Sequence, residues 1–184
     1  MSKRAILVGR FQPFHLGHRE VVEKYRDSYE LVIGVGSAGK EGEEENPLSF
    51  EDRREIIRAC YPDIEIMGLK DYSSDEEGHQ KWLEELRDKA SPDKVISQNG
   101  LVKRLVEEDP ELELIEQDMH DPGIYSGTEV RRRIRSGEEW RYLVPECAEE
   151  EVADRIEKIK GSGIQYEFKP GWTRENAYHD TYEK

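Results

Sequence analysis

The stretch Ala5-Ile6-Leu7-Val8-Gly9-Arg10-Phe11-Gln12-Pro13-Phe14-His15-Leu16-Gly17-His18 decides the fold. Its four leading apolar residues are too few for a signal-peptide core or a membrane span, and they read as a buried strand. Residues Leu16 to Asp27 then read as an amphipathic helix, which makes the intervening loop a strand-to-helix connection. The same rhythm recurs downstream. Strands are predicted at Ala5 to Val8, Leu31 to Val35, Ile64 to Met67, Lys94 to Ser97 and Leu112 to Ile115. Helices are predicted at Leu16 to Asp27, Ser49 to Cys60, Asp75 to Lys89, Gly100 to Glu108, Thr128 to Arg135 and Pro145 to Ile159. This alternation predicts an α/β fold: a doubly wound, Rossmann-like sheet of five parallel strands with helices on both faces and a C-terminal helical extension.

In such a sheet, ligands sit beyond the carboxyl ends of the strands at the switch point, so the loop after the first strand is the expected site. Gly9 lacks a Cβ and permits a sharp turn or close approach of a phosphate, and Pro13 stiffens the turn. His15 and His18 lie at the start of the following helix, where free N–H groups and the helix dipole favour an anion; both imidazoles can donate to one polyphosphate. Gly17 between them suits a close neighbour. The bland alternative is that His15 packs and His18 caps. The loop matches neither the Walker A pattern nor GxGxxG.

A second constellation is Tyr125-Ser126-Gly127-Thr128-Glu129-Val130-Arg131-Arg132-Arg133. Ser126 three before Glu129 predicts a capping box, and the helix start it defines can seat phosphate oxygens. Helical geometry points Arg132 away from Arg131, so Arg131, nearest the Ser/Thr turn, is the candidate ligand.

Composition bounds the partners. Of 184 residues, 28 are Lys or Arg and 42 are Asp or Glu, a formal charge of −14 that argues against a general nucleic-acid binder. The length fits one domain over residues 1–160 with an aromatic-rich tail at 161–184. Cys60 and Cys147 have neither disulfide-framework nor zinc-ligand spacing and are expected as small buried hydrophobes in a protein of the reducing cytoplasm. His79, His120 and His179 lack ligand spacing, and Lys40 heads a glycine- and glutamate-rich loop that reads either as solvated, the favoured reading because its glutamates would repel phosphate, or as closing over a triphosphate.

The two motifs together resemble the nucleotidyltransferase superfamily, with His15-Leu16-Gly17-His18 as its HxGH element and Ser126-Gly127-Thr128-Glu129-Val130-Arg131 as its ISSTxxR-like element. Gly9 to His15, Gly36-Ser37-Ala38, Asn46-Pro47 and Tyr125 to Arg133 are similar to the archaeal-type nicotinamide mononucleotide (NMN) adenylyltransferase family, over residues 4 to 160. The resemblance implies adenylyl transfer from ATP to NMN, giving NAD and pyrophosphate, with magnesium held on the phosphates rather than by side chains. It assigns catalytic roles to His15, His18 and Arg131. It assigns ATP binding to Gly9, Arg10, Phe11, Phe14, His15, Gly17, His18, Ser126, Gly127, Thr128 and Arg131.

For the acceptor it points to Trp82 as the flat partner of a nicotinamide ring and to Asn99 in Ser97-Gln98-Asn99-Gly100, where Gln98 replaces the Gly of the family's Ser-Gly-Asn sequence. A homo-oligomer, often of six subunits, is also implied. The alternatives are a related HxGH enzyme with a phosphopantetheine, cytidylyl or flavin acceptor, a nucleotide sensor without catalysis, and a nucleic-acid module that the charge disfavours.

Overall fold

A computed structural model describes residues 3–117 and 121–161. Five parallel strands, β1 (Arg4–Gly9), β2 (Glu30–Val35), β3 (Glu65–Gly68), β4 (Lys94–Ser97) and β5 (Glu113–Ile115), form one sheet in the order β3-β2-β1-β4-β5. The chain works outward from β1 to β3 and then crosses back to place β4 on the other side of β1. The connections leaving β1 and β4 therefore diverge, which opens a crevice at their carboxyl ends.

Strand periodicity divides the core in two. Ala5 and Leu7 of β1 face one layer while Ile6 and Val8 face the other. On the first face the sheet packs against α1 (Leu16–Tyr25), α2 (Phe50–Cys60) and α5 (Gly127–Ser136), through Val21, Val22, Ile56, Ile57, Val130 and Ile134. On the second, Leu86 and Ala90 of α3 (Glu76–Ala90) join Val102 and Val106 of α4 (Gly100–Glu107). Four of these helices start on a side chain that accepts from their free N–H groups: Ser49 for α2, Asp75 for α3, Asn99 for α4 and Ser126 for α5.

Three expectations are corrected. The segment from Pro145 to Ile159 is not one helix but a 3-10 turn (Glu146–Ala148) followed by α6 (Glu149–Ala153) and α7 (Ile156–Lys160). At Arg155 the backbone leaves the helical region, with φ −107° and ψ 9°. There the guanidinium reaches Asp52 of α2 at 3.0 Å, and Lys158 reaches the same carboxylate at 2.8 Å. Burial opposes ionisation of Asp52, but hydrogen bonds from Lys158, Ser49 and Arg155 outweigh it and hold the carboxyl below its ordinary range. A tertiary ion cluster thus overrides local helical propensity.

The second correction concerns Cys60 and Cys147, which are joined in a disulfide with Cα atoms 5.2 Å apart across 87 residues of sequence. Cys147 is exposed, so neither a pair of buried thiols nor an absence of disulfides describes them. Packing of α2 against the 3-10 turn brings the two together, a meeting that spacing along the chain does not encode. The cross-link constrains the unfolded chain and fastens the C-terminal helices to α2.

The third is at α5. Ser126 accepts from the Glu129 N–H at 3.2 Å, but the reciprocal half of the expected capping box is absent. The Glu129 carboxylate is taken by Arg132 and Arg133 instead.

The aromatic tail, His120 and His179 lie outside the described residues. Among the described residues, no helix is long and apolar enough to cross a membrane.

Candidate active site

The crevice between β1 and β4 holds a cavity of about 580 Å³ lined by both motifs. Its floor begins with the loop after β1. Phe11 takes a left-handed conformation, φ 52°, which folds its ring back beneath Gly9. A Cβ on Gly9 would stand 3.1 Å from that ring, so the glycine makes room for its own loop. Gln12 is buried and pairs with the main chain of Leu48, accepting from its N–H at 3.0 Å and donating to its carbonyl at 2.9 Å.

The two histidines form the centre of the site, and their tautomers follow from backbone donors. The Gly17 N–H donates to His15 Nδ1 at 3.1 Å, and the His15 N–H donates to His18 Nδ1 at 3.2 Å. This is a capping box in which both capping side chains are imidazoles. A ring nitrogen that accepts a backbone N–H carries no proton, so each neutral ring has its proton on Nε2. The rings stack with centroids 3.7 Å apart, and both line the cavity. Capping uses Nδ1 of each ring and leaves Nε2 spare, so the cap does not compete with a ligand for these residues.

Burial, reinforced by the charge of Arg131, pushes the His15 pKa down to about 3. Burial and then His15 push His18 well below its ordinary value. The pair thus presents two neutral N–H donors at physiological pH. The unfolded chain takes up protons below about pH 6.5 that the folded chain refuses, so this stability is full above that value and is lost as pH falls. Urea unfolding at pH 7.5 and 5.0 is expected to show a loss approaching about 2.7 kcal/mol per pH unit below 6, if both rings stay neutral. A midpoint unchanged between those values would contradict the neutral pair.

Arg131 enters from α5. It is 5% exposed, and its Nη1 donates to the Gln12 carbonyl at 2.7 Å. Its Nη2 lies 3.5 Å from Thr128 Oγ1. A Cβ on Gly127 would fall 2.7 Å from the same Gln12 carbonyl, so only glycine lets α5 approach the β1–α1 loop this closely. Arg132 and Arg133 turn to Glu129 and Glu138, and Arg135 donates to the carbonyls of Glu44 and Ile159.

Of the residues expected here, Gly9, Arg10, Phe11, His15, Gly17, His18, Gly127, Thr128 and Arg131 line the cavity. Phe14 and Ser126 do not: Phe14 is fully buried beneath His18, with ring centroids 5.5 Å apart, and Ser126 caps α5. Trp82 and Asn99 also line the cavity. Asn99 Oδ1 caps α4 by accepting from the N–H groups of Leu101 and Val102, which leaves the side-chain NH₂ outside the cap. Gln98 has no positive φ; its amide donates to the Gln117 carbonyl.

Sequence reasoning set one contributor aside, Lys40, and missed two, His79 and Arg53. Lys40 lines the cavity and pairs with Asp71 at 3.3 Å, and His79 lines it one turn before Trp82. Arg53 is wholly buried behind the loops. A positive charge on an apolar helix face was the available signal for Arg53; for His79 it was the three-residue spacing to Trp82.

The cytidylyltransferase-like family matches residues 6–133. A nicotinamide-nucleotide adenylyltransferase of Methanolobus tindarius is 39% identical over 165 residues, covering 86% of this chain and 90% of the relative. The enzyme of the same name from Halobacterium salinarum is 34% identical over 161 residues, covering 85% and 90%. Among solved structures, a bifunctional NMN adenylyltransferase/ADP ribose pyrophosphatase of Francisella tularensis, complexed with AMP and a manganese ion, matches with a TM-score of 0.67 at 20% identity. That match covers 87% of this chain and 51% of the other, so this chain spans about half the length of that protein, and at such identity the likeness concerns the fold. With most of its length shared with curated relatives at this level of identity, the chain belongs to the nicotinamide-nucleotide adenylyltransferase family of cytidylyltransferase-like proteins.

Proposed function

We propose that this protein transfers the AMP moiety of ATP to NMN, forming NAD and pyrophosphate. The observation that carries the reading is the convergence of two neutral Nε2–H donors and a buried arginine at the switch point, in a chain of this family. An oxygen of the NMN phosphate attacks the ATP α-phosphorus and becomes the bridging oxygen of the new P–O–P link, while the bond from the α-phosphorus to the α–β bridging oxygen breaks and pyrophosphate departs with that bridging oxygen. The attacking phosphate is already anionic, so the step needs no covalent intermediate and no strong base.

His15 and His18 donate to triphosphate oxygens, and Arg131 steadies the charge that grows on the leaving pyrophosphate. Neutral donors suit this task, because their hydrogen bonds do not depend on a proton that comes and goes near pH 6.5. Main-chain groups of Gly9, Phe11 and the start of α5 complete the ATP seat, while Trp82 and the Asn99 amide face the acceptor. Among the described residues there is no cluster of three or more acidic, His or Cys side chains fit to hold a metal, and the cavity's donors match phosphate oxygens. A divalent cation, magnesium in this reading, would be carried by the phosphates and water, where it neutralises charge.

The cytoplasm, where ATP is abundant, is the proposed place of action. The Cys60–Cys147 cross-link stands against a strongly reducing one, since intracellular disulfides are common chiefly in hyperthermophiles. A homo-oligomer of up to six subunits rests on the family resemblance alone.

The test is chromatographic detection of NAD from purified protein, ATP, magnesium and NMN, alongside a panel of other acceptor phosphates. NAD with stoichiometric pyrophosphate is expected. Turnover of a different acceptor in the panel, with no NAD, would overturn the assignment.

A further inference from the structure

We infer that Arg53 is a positioning residue for ATP: a buried cation that clamps the two loops of the triphosphate seat and supplies positive potential from behind them. The inference rests on the adenylyl-transfer reading for its ligand and on the following geometry for its substance. Arg53 lies in the first turn and a half of α2 and is 0% exposed. Its Nε donates to the Ser49 carbonyl at 3.1 Å, at the start of its own helix. Nη1 donates to the carbonyls of Arg10 at 2.9 Å and Gly36 at 2.8 Å, and Nη2 donates to that of Ser37 at 3.0 Å. Arg10 follows β1, and Gly36 and Ser37 follow β2. One guanidinium therefore staples adjacent strand ends, and all three of those residues line the cavity.

The fork geometry explains why arginine does this. Three carbonyls from two loops converge on a planar group with donors fixed in direction, an arrangement a flexible ammonium cannot match. Geometry alone, however, does not require a charge. Among the described residues no carboxylate makes an ion pair with Arg53; Asp71 and Asp52 act on it only at a distance. Burial, followed by repulsion from Arg10, lowers its pKa to about 10, which still leaves it charged at neutral pH.

Two like charges thus stand at the same loops: Arg10 lines the cavity and pairs at 3.4 Å with exposed Glu45, while Arg53 is buried behind the loops with no carboxylate in ion-pair contact among the described residues. Burying such a cation is costly, and the carbonyl dipoles offset only part of that cost. A polyanion in the cavity offsets the desolvation cost by attraction and counters the repulsion between the two arginines. The fold accordingly holds Arg53 and Arg10 in an arrangement that becomes favourable when triphosphate binds, and this gives Arg53 a role beyond packing.

Arg53→Met and Arg53→Lys test this against wild type, with ATP affinity measured by calorimetry and steady-state kinetics from pH 6 to 10. Arg53→Met, which keeps volume without charge, is expected to weaken ATP binding about 10-fold or more and to lower kcat/KM for ATP by about 30- to 100-fold, with KM for NMN changed less than about twofold. Arg53→Lys is expected to recover part of the loss at pH 6. Its activity relative to wild type then falls reversibly as pH rises, because burial depresses the lysine pKa and the ammonium loses its charge.

A folded Arg53→Met protein with ATP affinity within about twofold of wild type would overturn the inference. So would an Arg53→Lys to wild-type ratio that is independent of pH and no better than the methionine variant. If Arg53→Met fails to fold, the lysine ratio decides alone. Should wild type bind ATP but make no NAD, the acceptor reading fails, while the comparison of ATP affinities still judges Arg53.

Discussion

Replacing His18 by alanine is expected to lower kcat by about 10²- to 10³-fold, the usual effect of removing one donor aimed at charge that develops in the transition state. The two nitrogens of this ring do different work, which allows a sharper experiment. Nδ1 accepts the His15 N–H and so belongs to the fold, whereas the Nε2 proton is the one the proposed mechanism gives to the triphosphate. Asparagine places its carbonyl near the Nδ1 position and has nothing at Nε2. Glutamine places an amide near Nε2 and leaves the His15 N–H without its acceptor.

His18→Asn is therefore expected to melt close to wild type with activity as low as the alanine variant. His18→Gln should retain more activity but unfold about 5 °C earlier, given a cost of about 1–3 kcal/mol for an unsatisfied buried N–H. Thermal denaturation and steady-state kinetics on the three variants separate these outcomes. Equal activity in His18→Asn and wild type would remove Nε2 from the mechanism.

What the sequence made legible was local. The short continuous apolar runs of the strands, the amphipathic segments between them and the capping serine Ser126 carry their structural meaning within a few residues, so the elements and their order could be read directly. The HxGH loop was legible for the same reason: the donor pair and the helix start are contiguous. Arg131 could be singled out because helical geometry alone separates it from Arg132.

The remainder depends on partners distant in sequence. Arg53 meets Arg10 across 43 positions and Gln12 meets Leu48 across 36, through main-chain carbonyls and N–H groups that every residue possesses. No residue type at the far end marks such a contact. Cys60 and Cys147 meet because two elements pack together, and the break at Arg155 follows from its pull toward Asp52. The dual use of the histidines was also hidden, because a residue that caps a helix and one that binds phosphate look the same in sequence when both sit at a helix start.

Arg131→Met is expected to reduce kcat/KM for ATP by about 10³-fold, and Arg131→Lys by about 10- to 100-fold. The difference arises from the two jobs of the guanidinium. Its fork holds the Gln12 carbonyl, which docks the β1–α1 loop against α5 where Gly127 permits contact, and its charge faces the cavity beside His15. Methionine removes both; lysine keeps the charge but not the fork.

The charge has a second, independent readout. Burial is the larger cause of the lowered His15 pKa and Arg131 the smaller, so Arg131→Met should move that pKa upward while leaving it below the ordinary histidine value. The gap between folded and unfolded values then narrows, and the acid-side loss of stability becomes shallower than in wild type. Histidine titration by NMR would follow the shift directly. A lysine variant that is kinetically wild type would mean that charge alone suffices and that the Gln12 contact only shapes the loop. A methionine variant whose His15 titration is unmoved would mean that burial, not the arginine, keeps the phosphate donors neutral.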